Sequence, residues 1–482
     1  MWFRFRGYRN RNHTRPWRQE FVYGSRPTDR EDAVWPDGRN FGEALNDWMD
    51  GVSGSLDVPE VLVGDSAAAS ADLLLCALIS RLQASESEGG RRAGDGTDAE
   101  ATAGAPIWWT GKTATAERAA SANLVAGIAS DFDSVHYLAG GHLAAFLTPS
   151  LFPGPGVPVD DMLRIQAVAT EFGVRLGQAV KDQVRAHAFH VTPIIGGLSA
   201  VYALARRSGL PVDRIRWCLR LYLSTYRSDY QLLGSDGRMY QMGQAMRQAH
   251  GVVVEGGVHS NIDRRAAGEW WQPFSVMGVP MNTQSKESEQ WLSGSRATTL
   301  KSAPCCAYFF ETLAAVADLR RRVPADALRQ LHVHVPRYAL AAHRGSTGVT
   351  WLDPFDLVHN IAICWVLGRD AWTPLAELPT DVVERAARLI TLHEVSDRTA
   401  AAVTAVMSDG VVTASAETIH KETGRGSTYP ALQRKAEIVS GHLNGEWRQL
   451  AAANDPRRLL CRLLDVCGEQ PGGAPVTAGG LQ

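Results

Sequence analysis

Residues 188–207 read AFHVTPIIGGLSAVYALARR, and this stretch decides how the fold is interpreted. From Thr192 to Arg207 the side chains are small or apolar almost throughout, and Gly196 and Gly197 stand side by side near the start. Small side chains let helix axes approach closely. The pattern therefore predicts a helix buried in a bundle, with His190 placed just before it.

Helical periodicity extends on both sides of this stretch. From residue 160 to 184 apolar side chains recur at helical spacing, which is the pattern of an amphipathic helix. Further helices are predicted at residues 67–82, 115–128, 213–226 and 239–254. Residues 84–106 contain almost nothing to bury and predict a solvent-exposed loop between two helices. The first half of the chain is therefore expected to be all helical.

The second half of the chain mixes strand and helix patterns. Residues 331–335 read LHVHV and alternate with the period of a strand. Residues 403–407 and 411–419 predict two further strands, joined by a hairpin turn at residues 408–410. Helical patterns cover residues 306–322, 355–367, 380–392 and 429–466. An α/β unit is thus expected between the helical first half and a helical tail.

These patterns predict a mainly α fold in two parts. We expect a large all-helical domain formed by both chain ends and a smaller α/β lid domain packed over it. The predicted parts are a basic N-terminal arm at 1–40, a first helical part at 41–290, the α/β lid at 291–428 and a C-terminal helical part at 429–482. A chain of 482 residues is longer than one hydrophobic core usually grows, which also favours two domains.

Composition and charge exclude several classes of partner. The formal net charge is -2 and the sequence pI is about 6.7, so the molecule as a whole has no bias toward nucleic acid or anionic membranes. Arginines interleaved with aromatic residues at the amino terminus predict a surface arm rather than a nucleic-acid site. The 7 scattered cysteines, the lack of a secretory signal and the lack of any stretch approaching about 20 apolar residues predict a cytoplasmic protein outside membranes.

Residues 130–142 read SDFDSVHYLAGGH and form the most informative candidate site. Carboxylate and imidazole groups, among them Asp131, Asp133, His136 and His142, converge just past an Ala-rich helix. Loops held by a rigid scaffold are where catalytic groups concentrate. The same residues are also compatible with local capping and turn formation by the two aspartates, with His142 on the surface.

His190 is the second candidate, because it stands directly before the small-residue helix. Backbone N–H groups point outward at a helix start, so this histidine borders a potential anion site. A core histidine satisfied by a carbonyl group is the alternative. His187 and His190 have a spacing compatible with a metal ion, but no carboxylate or cysteine accompanies them at a ligand interval, and we expect no metal site.

Lys301 is the third candidate, in the stretch LKSAPCC at residues 300–306. The chain has 49 lysines and arginines, and only six of them are lysines. A lysine before a Pro-Cys-Cys turn therefore suggests a need for a compact ammonium group whose pKa can move or which can pair with a carboxylate. The alternative is a lysine placed by chance in a surface loop.

Several other kinds of chemistry lose support. The chain has no GxxxxGK phosphate loop, no GxGxxG after a strand and no GxSxG elbow. Nucleotide hydrolysis, hydride transfer and serine esterase chemistry are therefore not expected. His332 and His334 share one face of a predicted strand, and we interpret them as surface residues rather than metal ligands.

The three candidate stretches, in this order and at these intervals, resemble the MmgE/PrpD family. Residues 131–136 and 141–142 are similar to its Asp-Phe/Tyr-Asp-Asp-Thr-His motif and the Gly/Thr-His that follows. Residues 188–192 are similar to its Gly-Phe/Trp-His-x-Thr motif ahead of a small-residue helix, and residues 301–306 to its Lys-x-Tyr/Phe-Pro-x-Cys/His element. Each motif alone is weak, and the combination is specific.

The resemblance covers residues 67–443, including the Asp409-Gly410 turn and residues 429–435. It implies a large helical domain, a smaller α/β lid, an active site between them and a homodimer. The family includes 2-methylcitrate dehydratase, cis-aconitate decarboxylase and iminodisuccinate epimerase, so the resemblance also implies chemistry on a small-molecule carboxylate.

Departures from the family pattern bear on the reaction. Ser134 and Val135 replace an aspartate and a threonine of the first motif. Arg238 keeps the cation of another family element, but Gln241 stands where that element has a histidine. Cys306 occupies a position that is histidine in the decarboxylase, and a cysteine does not shuttle protons at neutral pH unless its pKa is strongly lowered. The decarboxylase interpretation is weakened, and a substrate outside central metabolism, as in specialised biosynthesis, is favoured.

Our hypothesis is a cofactor-independent, metal-free dehydratase that removes water from a small hydroxy-carboxylate. Such an elimination needs a base, an acid and fixed positive charge for an enolate-like transition state. The predicted catalytic residues are Asp131, His142, His190 and Lys301. The predicted substrate-binding residues are Arg238, Asp133, His136 and Cys306.

Roles within this set follow from side-chain chemistry. His142 and His190 are the predicted acid/base pair, since the ordinary histidine pKa lies near neutral pH, and Asp131 orients one imidazole. Lys301 and Arg238 are expected to face the substrate carboxylates. Decarboxylation, epimerisation or isomerisation on the same scaffold is an alternative, and so is an inactive homologue that binds a ligand or partner.

Overall fold

A computed structural model gives the fold of the chain, which is mostly helical. The structure describes residues 41–53, 57–86, 104–154, 156–258, 262–277, 298–324, 327–343, 353–368, 372–375, 378–396, 400–408, 410–415, 428–442 and 455–468. The basic arm predicted at 1–40 lies outside these residues.

The first half of the described chain is a bundle of helices. They are α1 (Phe41–Ser53), α2 (Glu60–Glu86), α3 (Ala116–Ile128), α4 (Leu143–Leu151), α5 (Val159–Ala186), α6 (Val191–Arg207), α7 (Val212–Thr225), α8 (Asp236–Val258), α9 (Arg264–Gly268) and α10 (Gln272–Val276). Their apolar side chains meet in one hydrophobic cluster, here called the helical core. The helices predicted from periodicity are confirmed, whereas α1, α4 and the short helices α9 and α10 were not predicted.

Helix α6 lies at the centre of the helical core and packs against α4, α5, α7 and α8. Its glycines are required for these close approaches. A Cβ on Gly197 would lie 1.9 Å from the Tyr222 hydroxyl oxygen, and one on Gly196 would lie 2.4 Å from the Phe146 ring. The prediction of a buried small-residue helix is therefore confirmed.

The carboxyl-terminal helices return to the helical core. Helices α15 (Thr428–His442) and α16 (Pro456–Val466) both pack against α2. Leu432, Leu460 and Leu463 join the same hydrophobic cluster as the first helices. Both ends of the described chain thus contribute to one core, while the division into domains at residues 290 and 428 stays a prediction.

A mixed sheet forms the second part of the described structure. Its strands are β5 (Leu328–Pro336), β6 (Ile390–Val395), β7 (Ala402–Met407) and β8 (Gly410–Ser415), in the order β6-β5-β7-β8. Strand β5 pairs parallel with β6 and antiparallel with β7, and β7 and β8 are the two strands of the predicted hairpin. Asp409 of the predicted turn lies outside the described residues.

Helices cover one face of this sheet. They include α11 (Phe310–Arg322), α12 (Arg337–Ala342), α13 (Leu357–Leu367) and α14 (Thr380–Ala387). Leu331, Val333 and Val335 are buried together with side chains of α11 and α13 in a second hydrophobic cluster, here called the sheet core. The α/β character expected for this part of the chain is thus present.

One predicted helix in this part is wrong at its carboxyl end. Residues 380–392 were expected to be helical throughout, but α14 ends at Ala387 and strand β6 begins at Ile390. Residues 390–395 include β-branched side chains, which fit a strand, and their parallel partner β5 lies more than fifty residues earlier. Local periodicity carries no information about a partner at that distance.

The loop predicted at residues 84–106 is also shorter than expected. Helix α2 continues to Glu86, and residues 87–103 lie outside the described part of the chain. Strand β1 (Ala105–Ile107) then pairs antiparallel with β2 (Lys112–Ala114). The last residues of the predicted loop are therefore the start of a small hairpin.

Helix α2 corrects another expectation. Between Glu60 and Gln83 it is long and apolar enough by composition to cross a membrane, although no such stretch was expected. In this structure 89% of its apolar window is buried. It packs against α3, α5, α15 and α16, which is the behaviour of a helix surrounded by protein on all sides.

Candidate active site

A cavity of about 410 Å³ is lined by residues from both the helical part and the sheet part of the structure. Its chemistry is mixed, because apolar walls alternate with ionisable groups. The polar lining residues discussed below are Asp131, His142, Lys181, Arg185, His190, Arg238, Cys306, Tyr308, Glu311 and Tyr338. Concave sites with a few convergent polar groups are where ligands usually bind.

The loop after α3 brings distant parts of the sequence together at this cavity. Asp131 has a φ of 49°, in the left-handed region that aspartate tolerates better than most residues. The loop then enters strand β3 (Val135–His136), which pairs antiparallel with β4 (Thr298–Thr299). Lys301 stands two residues after the end of β4. This two-strand contact is the reason why the Asp131 loop and Lys301 meet.

Asp131 is the centre of a buried charge cluster. Its Oδ2 lies 3.0 Å from Lys301 Nζ, and its Oδ1 lies 2.7 Å from Arg238 Nη2. Lys301 also donates to the Asp131 carbonyl oxygen at 2.8 Å. Burial acts to raise the pKa of Asp131, but Lys301 and Arg238 outweigh it and hold the pKa below its ordinary value. Asp131 is therefore a permanent negative charge at neutral pH.

His142 stands directly before α4, between two carboxylates. Its Nδ1 lies 2.8 Å from Asp133 Oδ2, and its Nε2 lies 3.9 Å from Asp131 Oδ1. A carboxylate at Nδ1 favours the tautomer that carries its proton there and leaves the Nε2 lone pair available. The carboxylate that orients His142 is thus Asp133, whereas the sequence assigned an orienting role to Asp131.

His190 stands directly before α6 and differs from His142 in its surroundings. Ser228 Oγ donates to its carbonyl oxygen at 2.8 Å. Burial, Arg238 and His142 lower the pKa of His190 to about 3, and contact with the Gln241 side chain only partly opposes them. The imidazole is therefore neutral at working pH. A neutral imidazole of such low basicity is suited to donating a hydrogen bond rather than to accepting a proton.

Cys306 lines the cavity, as the sequence predicted. Burial and the Asp131 charge raise the pKa of its thiol to about 12. The thiol therefore stays protonated at neutral pH, and a thiolate nucleophile is not expected here.

Five of the predicted site residues line the cavity, and three do not. Those that do are Asp131, His142, His190, Arg238 and Cys306. Lys301 has 0% exposure and contacts the cavity only through Asp131, and Asp133 does so only through His142. His136 accepts a hydrogen bond from the Ala139 amide at 3.2 Å and lines a separate, smaller cavity, so the structure gives no support to its predicted substrate contact.

Sequence reasoning missed a second buried lysine beneath the same loop. Lys435 of α15 donates to Asp72 Oδ1 at 2.5 Å and to the Phe132 carbonyl oxygen at 2.6 Å. Its ammonium also lies 4.2 Å from the centre of the Phe132 ring. The rarity of lysine, which drew attention to Lys301, could have drawn attention to Lys435 as well.

Two cations of α5 at the cavity were also missed. Lys181 donates to the carbonyl oxygens of residues 137 and 138 at 3.1 and 3.0 Å, so it holds the loop before His142. Arg185 lies 5.4 Å above the Tyr308 ring, and its polar contacts with Asp182 and the Gly140 carbonyl are long, at 3.7 and 3.5 Å. Its guanidinium group therefore keeps capacity for an anion.

The sheet part contributes a carboxylate on the other side of the cavity. Glu311 is buried, accepts a hydrogen bond from the Tyr338 hydroxyl at 2.8 Å and accepts another from the Ala401 amide at 3.0 Å. Periodicity placed Glu311 in a helix but gave no sign that its side chain borders a cavity.

Asp131, Asp133 and His142 also satisfy the distance requirement of a metal site, because one ligand atom from each lies within 4.8 Å of the others. Each of the two carboxylates already has a polar partner. Asp131 has two cationic partners, and Asp133 is engaged by His142. A divalent ion there would have to compete with Lys301 and Arg238 for the same carboxylate, which favours chemistry by protons and side-chain cations.

The chain matches the model of a known protein family. Residues 44–255 match the model of the family described as the MmgE/PrpD N-terminal domain. This range contains α2 through most of α8 and four of the cavity residues named above as predicted: Asp131, His142, His190 and Arg238. Among curated proteins, none matches the chain.

Proposed function

Because the chain belongs to the MmgE/PrpD family, we propose that it is a cofactor-independent dehydratase that removes water from a small hydroxy-carboxylate. The family includes lyases such as dehydratases. The observation that carries the proposal is the position of His142, which is held by Asp133 through Nδ1 and stands beside the Asp131, Lys301 and Arg238 charges at a cavity.

His142 is the general base in this proposal. The Asp133 carboxylate stabilises the imidazolium that forms when Nε2 takes a proton from the carbon next to the substrate carboxylate. The Asp131 charge at 3.9 Å acts in the same direction. His190 cannot fill this role, since its pKa of about 3 makes it too weak a base.

Positive charge for the substrate and for the enolate-like transition state comes from several groups. Arg238 uses Nη2 for Asp131, and its buried Nη1 has no hydrogen-bond partner among the described residues. Arg185 adds a second guanidinium group at the cavity. The starts of α4 and α6, marked by His142 and His190, also border the cavity and favour an anion there. These groups support a substrate with at least one carboxylate.

The proton balance of the elimination is simple. His142 removes one proton from carbon, the β-hydroxyl group leaves as the double bond forms, and the His142 imidazolium returns the proton to the departing oxygen as water is released. His190 remains neutral and donates a hydrogen bond to the developing oxyanion. Arg238 stays paired with Asp131 throughout.

Cys306 favours dehydration over decarboxylation. A decarboxylase has to deliver a proton to the carbon that loses carbon dioxide, and a thiol with a pKa of about 12 is a poor donor for that step. The histidine that the decarboxylase has at this position is absent.

The test uses the purified full chain and a panel of small β-hydroxy di- and tricarboxylates in heavy water, followed by NMR. We expect loss of the hydroxyl group with formation of a carbon–carbon double bond. His142→Gln and Asp133→Asn should lower kcat by about 10²- to 10⁴-fold. His187→Ala, at an exposed position outside the cavity lining, is the matched control and should leave kcat unchanged.

Other outcomes select the alternatives. Deuterium exchange without loss of water indicates epimerisation or isomerisation, and release of carbon dioxide indicates decarboxylation. Carboxylates that bind but are not turned over, by either the wild type or the His142→Gln variant, indicate a ligand-binding homologue. We also propose that the protein is a cytoplasmic homodimer. Light scattering of the purified chain measures its oligomeric state directly.

A further inference from the structure

Three histidines meet on the face of the sheet that α11 and α13 leave uncovered. In β5, Leu331, Val333 and Val335 are buried in the sheet core, so His332 and His334 between them point to the opposite face. His393 of the neighbouring strand β6 stands directly beside His334 in the parallel register. All three side chains are half-buried, so an ion can reach them from solvent.

The distance between two of these rings is that of groups able to share one ion. His332 Nδ1 lies 3.0 Å from His393 Nε2. Two imidazole nitrogens on one tetrahedral zinc ion lie about 3.3 Å apart, given Zn–N bonds of about 2.0–2.1 Å. The gap between these two rings therefore has to open by only a few tenths of an ångström to admit an ion.

His334 stands beside this pair, but a change of its rotamer is needed before a ring nitrogen comes within ligand distance of both other rings. Its ring stacks on that of His393, with centroids 5.0 Å apart and an angle of 22° between the planes. Rotation of the His334 side chain about its χ angles moves a ring nitrogen out of this stack and toward the pair formed by His332 and His393. Two ligands spaced i and i+2 on one strand, and a third on the adjacent strand, then face one point from one side.

We propose that His332, His334 and His393 form a binding site for one borderline transition-metal ion, with zinc as the best fit. Imidazole nitrogens suit Zn²⁺, Cu²⁺ and Ni²⁺, whereas Mg²⁺ and Ca²⁺ prefer oxygen ligands. Three protein ligands leave a fourth position for water. The site lies outside the cavity lining, so it does not depend on the proposed dehydratase activity.

An ion bound here has a structural consequence. Strand β6 is at the edge of the described sheet and is joined to β5 by a long connection that contains α12, α13 and α14. Coordination by residues of both strands crosslinks this edge to its neighbour. Because the ligands are brought together only in the folded state, the ion stabilises that state by mass action.

The experiment titrates Zn²⁺, and separately Co²⁺ as a spectroscopic probe, into the full chain after removal of bound metal with a chelator. We expect one ion per chain with the visible absorption of tetrahedral nitrogen-ligated Co²⁺, a zinc-dependent rise in Tm and no corresponding effect of Mg²⁺. His393→Ala and His334→Ala should each weaken zinc binding by more than the roughly 10- to 100-fold that loss of a supporting hydrogen bond costs. The zinc-dependent rise in Tm should be absent in both variants.

Two control variants locate the ion. His187→Ala removes an exposed histidine directly after α5, and Asp133→Asn removes one ligand atom of the cluster at the cavity; both should bind zinc as the wild type does. Zinc binding that is lost in Asp133→Asn but kept in His393→Ala and His334→Ala would overturn the proposal, and so would absence of binding in the wild type. Circular dichroism checks that each variant is folded.

Discussion

Lys301 and Lys435 are two buried lysines that hold the same loop in similar ways. Lys301 donates to the carbonyl oxygen of Asp131, and Lys435 donates to that of the next residue, Phe132. Each ammonium group also pairs with a buried carboxylate, Asp131 for Lys301 and Asp72 for Lys435. The two lysines belong to separate segments of the chain, since Lys301 follows β4 and Lys435 lies in α15.

The two carboxylates differ in how many cations they contact. Burial raises the pKa of Asp72, and Lys435 does not reverse this effect. Burial acts on Asp131 in the same direction, but Lys301 and Arg238 together reverse it and lower the pKa. One buried lysine therefore supports the loop, whereas a lysine and an arginine together also fix a negative charge at the cavity.

The largest effect is expected from Lys435→Met, which tests the supporting role. The change leaves Asp72 and the Phe132 carbonyl buried without the ammonium group, and breaking a buried pair on one side costs about 3–5 kcal/mol. Denaturant unfolding monitored by circular dichroism measures the loss. Lys112→Met, at an exposed position of β2, is the control and should stay within about 0.5 kcal/mol of the wild type.

A double variant sharpens this result. Asp72→Leu combined with Lys435→Met removes both charges, so it should recover part of the stability that Lys435→Met loses. Equal stability of Lys435→Met and Lys112→Met would show that the buried pair does not support the loop.

Lys301→Met tests whether the second cation makes the difference between the two carboxylates. Without Lys301, Asp131 keeps Arg238 alone and becomes more similar to Asp72, so its pKa should rise. A carboxylate with a lowered folded-state pKa stabilises the protein above its ordinary value of 3.8, and this contribution is lost as the pH falls through the folded pKa. The difference in stability between the wild type and Lys301→Met should therefore be largest near neutral pH. It should continue to decrease as the pH falls below 3.8.

The pH range separates the two lysine variants. In the wild type the pKa of Asp72 is already above 3.8. As the pH is lowered, the stability deficit of Lys435→Met should therefore stop shrinking at a pH above 3.8. Unfolding free energies of both variants and of the wild type, measured from neutral to acid pH, give the two curves. Curves that coincide would mean that the number of cations does not decide the carboxylate pKa.

Much of this arrangement could be predicted from local sequence. The small residues of α6, the alternation in β5 and the period of α5 each reflect packing of neighbouring residues, and these elements are where they were expected. Strand β6 was missed, since its partner is distant in the chain. The same reason explains why β3 and β4, two residues each, gave no signal although they join the Asp131 loop to Lys301.

The sequence predicted which residues lie at the cavity better than it predicted which of them contact one another. Residue type and motif order brought Asp131, His142, His190, Arg238 and Cys306 to one cavity. The sequence assigned the orienting role to Asp131, but Asp133 contacts the His142 imidazole, while Asp131, at a φ of 49°, pairs with Lys301. A backbone conformation of this kind cannot be read from residue types alone.

The smallest effect is expected at a third carboxylate, Asp356, whose partner is partly exposed. Hydrogen bonding to Asp356, opposed by burial, raises the pKa of His359 to about 9, and Glu384 at 3.4 Å adds to the rise. A raised histidine pKa stabilises the folded state fully below the ordinary value of 6.5, and this stability is lost as the pH rises from there through about 9. Since solvent screens the pair, we expect the wild type to lose about 1 kcal/mol over this range relative to His359→Gln, whose side chain does not titrate. Unfolding free energies of the two proteins across this pH range measure the difference. Parallel curves would show that a pair of this exposure contributes nothing, in contrast to the buried pairs of Lys301 and Lys435.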